Sequence, residues 1–167
     1  MNPAMGERKG ESVKYRILDL DNCLADDRWR IAEIDWTDSD LFRRYIRYHQ
    51  LSAFDELGNA VLAHCAYRNI IITGRPEFFR SVTTEWLKRK RIPHEFLLMR
   101  ANDDTRSSAT MKRGAVIRLN LDHGINFENV ECAFDDNEQV VEMYRALGLT
   151  AQVSAIHDVS VYRMGAL

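Results

Sequence analysis

The stretch Val13-Lys14-Tyr15-Arg16-Ile17-Leu18-Asp19-Leu20-Asp21-Asn22 decides how the rest of the chain reads. Its first six residues are a short, partly β-branched run with a polar loop directly behind it, the pattern of a buried strand and its end. Residues two apart on a strand project to the same side. Asp19 and Asp21 are therefore two carboxylates delivered together to a sheet edge. Two such charges in a crowded site repel each other unless a cation or a shared proton offsets them. The pair reads as part of a metal and phosphate site; the plain alternative is a strand-end turn with solvated carboxylates.

Working outward, strand-like runs alternate with amphipathic helices. Phe54, Leu57, Val61 and Cys65 fall on one helical face ahead of the second strand, Asn69-Ile70-Ile71-Ile72-Thr73. Pro76 follows Gly74 and suits the first turn of a helix whose face carries Phe79, Val82 and Trp86. Phe96-Leu97-Leu98-Met99 reads as a third strand, a polar loop spans Arg100 to Thr110, and a helix is expected from about Met111 to Leu121. Val130-Glu131-Cys132-Ala133-Phe134 is a fourth strand ending at Asp135-Asp136. A helix with Val140, Met143, Tyr144 and Leu147 follows, capped by Gly148, and Ala151-Gln152-Val153-Ser154 is a fifth strand. This alternation predicts an α/β fold, a Rossmann-like parallel sheet with helices on both faces and right-handed crossovers. In such sheets the working site lies beyond the carboxyl ends of the strands. Asp19/Asp21, Thr73-Gly74-Arg75, the Arg106/Lys112 region and Asp135/Asp136 all fall at or near that edge.

One segment breaks the alternation. From about residue 26 to residue 50 the chain holds a loop and an extra helix, with Phe42, Tyr45, Ile46 and His49 on one face and Arg43, Arg44 and Arg47 on the other. It reads as a small helical cap over the active edge. With 167 residues and no repeat or linker, the chain reads as one domain over residues 13–167, behind a polar, disordered tail over residues 1–12. A net charge of −2 gives no polycationic signature of nucleic-acid binding. The three cysteines, Cys23, Cys65 and Cys132, are widely spaced, which favours a reducing, cytoplasmic setting. No apolar run approaches the roughly 20 residues of a membrane span.

Phosphate monoester hydrolysis needs an in-line nucleophile, neutralisation of the phosphoryl oxygens and a proton for the leaving oxygen. The clusters supply each part. Asp19 is the candidate nucleophile, forming an acyl phosphate. Asp21 is the candidate proton shuttle. Thr73 and the Gly74 backbone are candidates for binding phosphate oxygens, and Lys112 for neutralising charge. Asp19, the main-chain carbonyl of Asp21, Asp135 and Asp136 form the candidate ligand set for Mg²⁺, a hard cation that takes oxygen donors.

The order DxD, TGR, Lys, DD resembles the haloacid dehalogenase superfamily of aspartate-nucleophile phosphatases. The closer resemblance is to the 3′-phosphatase domain of phage polynucleotide kinases, carried by residues 134–148 and by Asp104-Thr105-Arg106 ahead of Lys112. It covers roughly Tyr15 to Asp158 and implies the roles just given. It further implies that Arg75 and Arg106 bind substrate, that the substrate is a nucleotide or nucleic-acid end, most of all a DNA or RNA 3′-phosphate, and that the source is a phage, with the host cytoplasm as the setting. Cys23 stands where the family usually has Thr. No GxxxxGK[ST] P-loop occurs, so the chain holds no kinase half.

Two other functions stay open. A nucleoside 5′-monophosphatase would share the fold and the chemistry. A catalytically silent binding module would keep the fold, but would be expected to lose Asp19 or Asp135/Asp136. Trp29 and Trp36 could stack on a base or merely seat the cap. Lys88-Arg89-Lys90-Arg91 closes a helix, where cations suit the dipole, at the edge away from the chemistry. His49, His64 and His94 read as structural or surface residues.

Overall fold

A computed structural model describes residues 13–64 and 66–157. The expected tail, Cys65 and the segment beyond residue 157 lie outside the described residues. The alternating runs build a five-stranded parallel sheet in the order β5-β4-β1-β6-β7: β1 Tyr15–Leu18, β4 Arg68–Pro76, β5 Phe96–Arg100, β6 Val130–Asp135 and β7 Ala151–Val153. The strand carrying Asp19 is thus central, flanked by β4 and β6 in parallel register.

Alternation along each strand sorts the core into two layers. Ile17, Ile70 and Ile72 face α5 (Ser108–His123) and α6 (Glu138–Ala146), packing with Val116, Leu119, Val140 and Tyr144. Leu18 and Ile71 point the other way, onto α3 (Ala60–Ala63) and α4 (Arg80–Arg89), with Leu62, Trp86 and Leu87. The fold is the expected α/β architecture. No described helix is long and apolar enough to cross a membrane.

Three local expectations are corrected. The face Phe54, Leu57, Val61, Cys65 does not form one helix. Phe54 ends a 3-10 turn, Leu57 lies in β3 (Glu56–Leu57), and only α3 is helical, with Val61 solvent-exposed. The break falls at Gly58-Asn59: Asn59 caps α3 by accepting from the Leu62 amide at 3.1 Å. Gly58 itself packs so tightly that a Cβ there would lie 1.9 Å from the Ile156 side chain. Next, β4 runs through Pro76 and a 3-10 turn follows, so α4 begins only at Arg80. Phe79 still buries, from the turn rather than the helix.

The third correction concerns the cap. It consists of α1 (Arg28–Ala32) and α2 (Leu41–Leu51), and it is closed at its base by an antiparallel pair, β2 (Ala25–Asp26) with β3. It therefore extends past residue 50 to Leu57. Asp40 caps α2 through the Arg43 amide at 2.9 Å. The inward strip of α2 is turned one position from the expected face: Leu41, Arg44, Tyr45, Tyr48 and His49 line a cleft, while Phe42 is 71% exposed.

Candidate active site

The cleft, of about 270 Å³, lies between the carboxyl edge of the sheet and the cap. Its floor holds Asp19, Asp21, Gly74, Lys112, Asp135 and Asp136. Asp19 follows β1 directly and is held by its amide, which donates to the Phe134 carbonyl at 3.0 Å. Lys112, one turn into α5, is buried and extends its ammonium between two strands. Nζ donates to Asp19 Oδ1 at 2.5 Å and to Asp135 Oδ2 at 2.6 Å. Ser107 caps α5 through the Thr110 amide and fixes where that lysine enters.

Asp19, Asp135 and Asp136 each present an oxygen, all within 4.8 Å of one another. Burial, together with Asp135 and Asp136, pushes the Asp19 pKa well above its ordinary value, against the pull of Lys112. Lys112 is held protonated, its pKa raised by Asp135 and Asp19 in spite of burial. Three convergent carboxylate oxygens are the donor chemistry of a hard divalent cation, and the set fits Mg²⁺. Asn22, at φ 60, donates to Asp136 Oδ2 at 3.1 Å, and its Oδ1 accepts from the amides of Ile156 and His157. Asn is one of the few residues that tolerates this left-handed backbone. The Asp135 carboxylate is fixed in turn by the Asn137 amide at 3.0 Å.

Asp21 is placed differently. Its carboxylate stands outside the acidic trio and is gripped by two arginines. Arg75 donates through Nε at 3.0 Å and Nη2 at 2.6 Å, and Arg30 of α1 through Nη2. Burial would raise its pKa, but Arg30 and Arg75 outweigh burial and hold it well below the usual carboxylate range. Both arginines are fully buried and also reach Asp55, at 2.9 and 3.3 Å. Two acids thus share two guanidiniums; burial and the Asp21 charge push Asp55 up to about 7, against the pull of Arg30 and Arg75. Trp29 Nε1 and Trp86 Nε1 close the network on the Asp55 side chain and carbonyl.

Not every residue singled out from the sequence reaches the cleft. Thr73 is buried beneath it, its hydroxyl accepting from the Arg75 amide at 3.2 Å. Arg75 faces Asp21 and Asp55 rather than open space. Arg106 is exposed and paired with Asp104 at 2.7 Å, outside the cleft lining. Arg100 lines the cleft instead and staples its rim, donating to the carbonyls of Gly74, Asp104 and Arg106 and to Ser108 Oγ. Arg43 pairs with Asp38 and Asp40 in solvent. Trp36 lines the cleft and Trp29 does not. Arg89 and Lys90 hold the Ala53 carbonyl and Glu56 at the cap's base. Cys23 is fully buried, a packing position that a thiol fills. Sequence reasoning missed Arg30, Asp55, Arg100 and Asn22. For the first three, no short motif marks the position; Asn22 could have been flagged as a residue suited to positive φ directly behind the DxD.

Residues 13–156 match the family model described as the polynucleotide kinase PNKP phosphatase domain. Among curated proteins, no sequence is similar enough to count as a relative. Two structures of the Pnkp1/Rnl/Hen1 complex, one of them described as an RNA repair complex, contain a chain of similar fold. One match has a TM-score of 0.60 at 24% identity over 89% of this chain and 45% of that chain. The other has 0.62 at 24% identity over 92% and 50%. This chain thus spans about half the length of those proteins. A hydrolase from Streptococcus pneumoniae TIGR4 matches over 92% of this chain and 97% of its own, with a TM-score of 0.54 at 12% identity.

Proposed function

Because the chain belongs to the family of polynucleotide kinase phosphatase domains, within the haloacid dehalogenase type of hydrolases, we propose that it removes the terminal 3′-phosphate from a nucleic-acid end. The observation that carries the chemistry is Lys112 bridging Asp19 and Asp135 at 2.5 and 2.6 Å on the floor of a cleft. Asp19 attacks phosphorus through a carboxylate oxygen, and the bond from phosphorus to the sugar oxygen breaks. That oxygen takes its proton from Asp21. Water then attacks the aspartyl phosphate, gives its proton back to Asp21, and frees phosphate and Asp19. Asp21 is ionised in the free site. The charge of an arriving phosphate beside it raises its pKa, so the proton it hands on is taken up with the substrate. Arg30 and Arg75 aim the Asp21 carboxylate, and Lys112 offsets charge on Asp19 and on the phosphoryl group. Asp19, Asp135 and Asp136, with the Asp21 carbonyl, would hold Mg²⁺, whose charge lets an anionic nucleophile approach an anionic ester. Thr73 fixes the turn that presents the Gly74 backbone to phosphate, and Arg106 serves a longer strand outside the cleft.

The size of the cleft favours one nucleotide inside it, which also suits a nucleoside monophosphatase. A panel with Mg²⁺ separates the two: an oligonucleotide 3′-phosphate, the 5′-phosphate of the same strand, and 3′- and 5′-mononucleotides. The 3′-phosphorylated strand is expected to have the highest kcat/KM, and a strong preference for 5′-mononucleotides would reject the reading. Asp19→Asn should abolish turnover of p-nitrophenyl phosphate while the protein stays folded. An inactive wild type would point to a silent binding module.

A further inference from the structure

The cleft does not end at its carboxylate floor. It continues along the cap, where Ile31, Ile34, Trp36, Leu41 and Tyr45 line it. The inner end of this wall is anchored to the chemistry. Arg30 grips Asp21 through Nη2, donates to the Tyr48 carbonyl through Nη1 at 3.1 Å, and lies 4.0 Å from the centre of the Tyr48 ring. The carboxyl end of α2 thus stands next to the group proposed to protonate the leaving oxygen. At the helical rise, Tyr45 lies about 4.5 Å and Leu41 about 10.5 Å farther out along α2 than Tyr48, and both still line the cleft. His49 adds no charge to the inner end. Its ring packs against Tyr45, Tyr48 and Phe79, and burial, with the charges of Arg30, Arg75 and Arg100, outweighs Asp21 and holds its pKa down to about 3.

At the outer end the side chains are presented to the cleft rather than packed away. Trp36 is 42% exposed and Leu41 63%. The Trp36 indole N–H donates to the Ile31 carbonyl at 3.2 Å, which fixes the ring and leaves it only apolar surface to offer. Arg44 donates to the Trp36 carbonyl at 3.4 Å, with its guanidinium 5.8 Å from the ring. Trp29, the other tryptophan of the cap, is tied to Asp55 and stays out of the cleft. One tryptophan seats the cap and the other faces the cavity. Apolar surface kept exposed in a cleft marks the place of a ligand. Here that surface and the acidic floor share one cavity of about 270 Å³. The occupant is therefore a phosphate ester with a flat apolar group beyond its leaving oxygen. A nucleotide meets this description: its base stands one sugar ring from the ester, every base has a π-face, and a strand behind it brings phosphates toward the Arg44 cation.

We propose that the base of the terminal nucleotide stacks on Trp36, in the wall that Leu41 and Tyr45 continue, so that a 3′-end is held by its last base as well as by its phosphate. This rests on the phosphatase reading above and adds the base to it.

The test uses one single-stranded oligonucleotide 3′-phosphate whose terminal residue either carries its base or is abasic, with a tetrahydrofuran in place of the nucleoside. The wild type should favour the base-bearing end in kcat/KM by about tenfold or more. Trp36→Ala should bring that ratio to about 1, and Trp36→Phe, which restores a flat ring, should recover much of it. Should Trp36→Ala fail to fold, Trp36→Leu keeps apolar bulk without a flat ring and takes its place, with the same expectation. A wild-type ratio near 1, or a ratio in Trp36→Ala or Trp36→Leu equal to that of the wild type, overturns the proposal alone. No turnover of p-nitrophenyl phosphate or of any terminal phosphate overturns the phosphatase reading and this with it.

Discussion

Replacing Lys112 with Met keeps the length of the side chain and removes its charge. The ammonium sits 2.5 and 2.6 Å from two carboxylates, and all three side chains are almost fully buried. At an effective dielectric of about 20, each contact is worth about 6 kcal/mol of gross attraction, offset by several kcal/mol of desolvation per ion. Without it, Asp19, Asp135 and Asp136 face one another within 4.8 Å, where each ionised pair repels by about 3.5 kcal/mol on the same scale. Breaking a buried pair by removing one partner generally costs about 3–5 kcal/mol. In a domain of this size that lowers the melting temperature by about 6–20 °C. A divalent cation entering the carboxylate trio replaces the missing charge, so millimolar Mg²⁺ should raise the melting temperature of Lys112→Met more than that of the wild type. The assay is thermal denaturation followed by circular dichroism, with EDTA and with Mg²⁺. A variant as stable as the wild type in EDTA, or one whose response to Mg²⁺ is no larger, would refute the reasoning, because the trio would then not be a repulsive cluster that needs a cation.

Arg100→Ala removes four hydrogen bonds that tie the 104–108 loop to Gly74; it should cost about 2–3 kcal/mol in urea denaturation and raise KM for every phosphate ester. Arg106→Ala breaks only an exposed pair with Asp104, so stability should stay within about 0.5 kcal/mol, while KM rises for an oligonucleotide and not for p-nitrophenyl phosphate. Asp55 and His49 should pull the pH profile of stability in opposite directions. Asp55, at about 7 in the fold, retains a proton that the unfolded chain gives up above about 4, so it adds stability as pH falls from 7 to 4. His49, at about 3, refuses a proton that the unfolded chain binds below about 6.5, so it subtracts stability over much of the same range. Asp55→Asn should therefore lose stability between pH 7 and 4.5 more steeply than the wild type, by on the order of 3 kcal/mol, read from urea midpoints at the two pH values.

The sheet was legible because burial on both faces writes itself as apolar runs. Ile70-Ile71-Ile72 and Val130 to Phe134 admit little but a central strand, and the polar residue that ends each run falls where parallel strands place their sites. The segment from Phe54 to Cys65 was misread because apolar residues at helical spacing also occur in a turn, a short strand and a single helical turn laid end to end. What separates them is long-range: β3 needs β2 as a partner, and Gly58 needs Ile156 against it. Neither contact has a signature within the segment. The cap helix was found from its periodicity, but a helix with apolar and basic residues on several sides does not announce which strip faces inward. The cleft selects Leu41, Arg44, Tyr45, Tyr48 and His49, and solvent keeps Phe42.

The same contrast separates the two halves of the cleft. Apart from Lys112, which the first turns of α5 supply, the floor is set by residues at or next to strand ends, and four short motifs suffice to find them. The Arg30-Asp21-Arg75-Asp55 network and His49 come from α1, α2, β4 and the segments behind β1 and ahead of β3, and nothing in the sequence ties Arg30 or Asp55 to the DxD. Yet in the proposed mechanism these are the residues that would hold Asp21 in place beside the leaving group. The floor supplies chemistry that any phosphate monoester can use. Phosphate monoesters differ in what hangs from the leaving oxygen, and the cap supplies the cleft wall opposite the floor. Substitutions on α2 are therefore expected to change ratios of kcat/KM between substrates, whereas substitutions at Asp19, Lys112 or Asp135 lower kcat/KM for all of them alike.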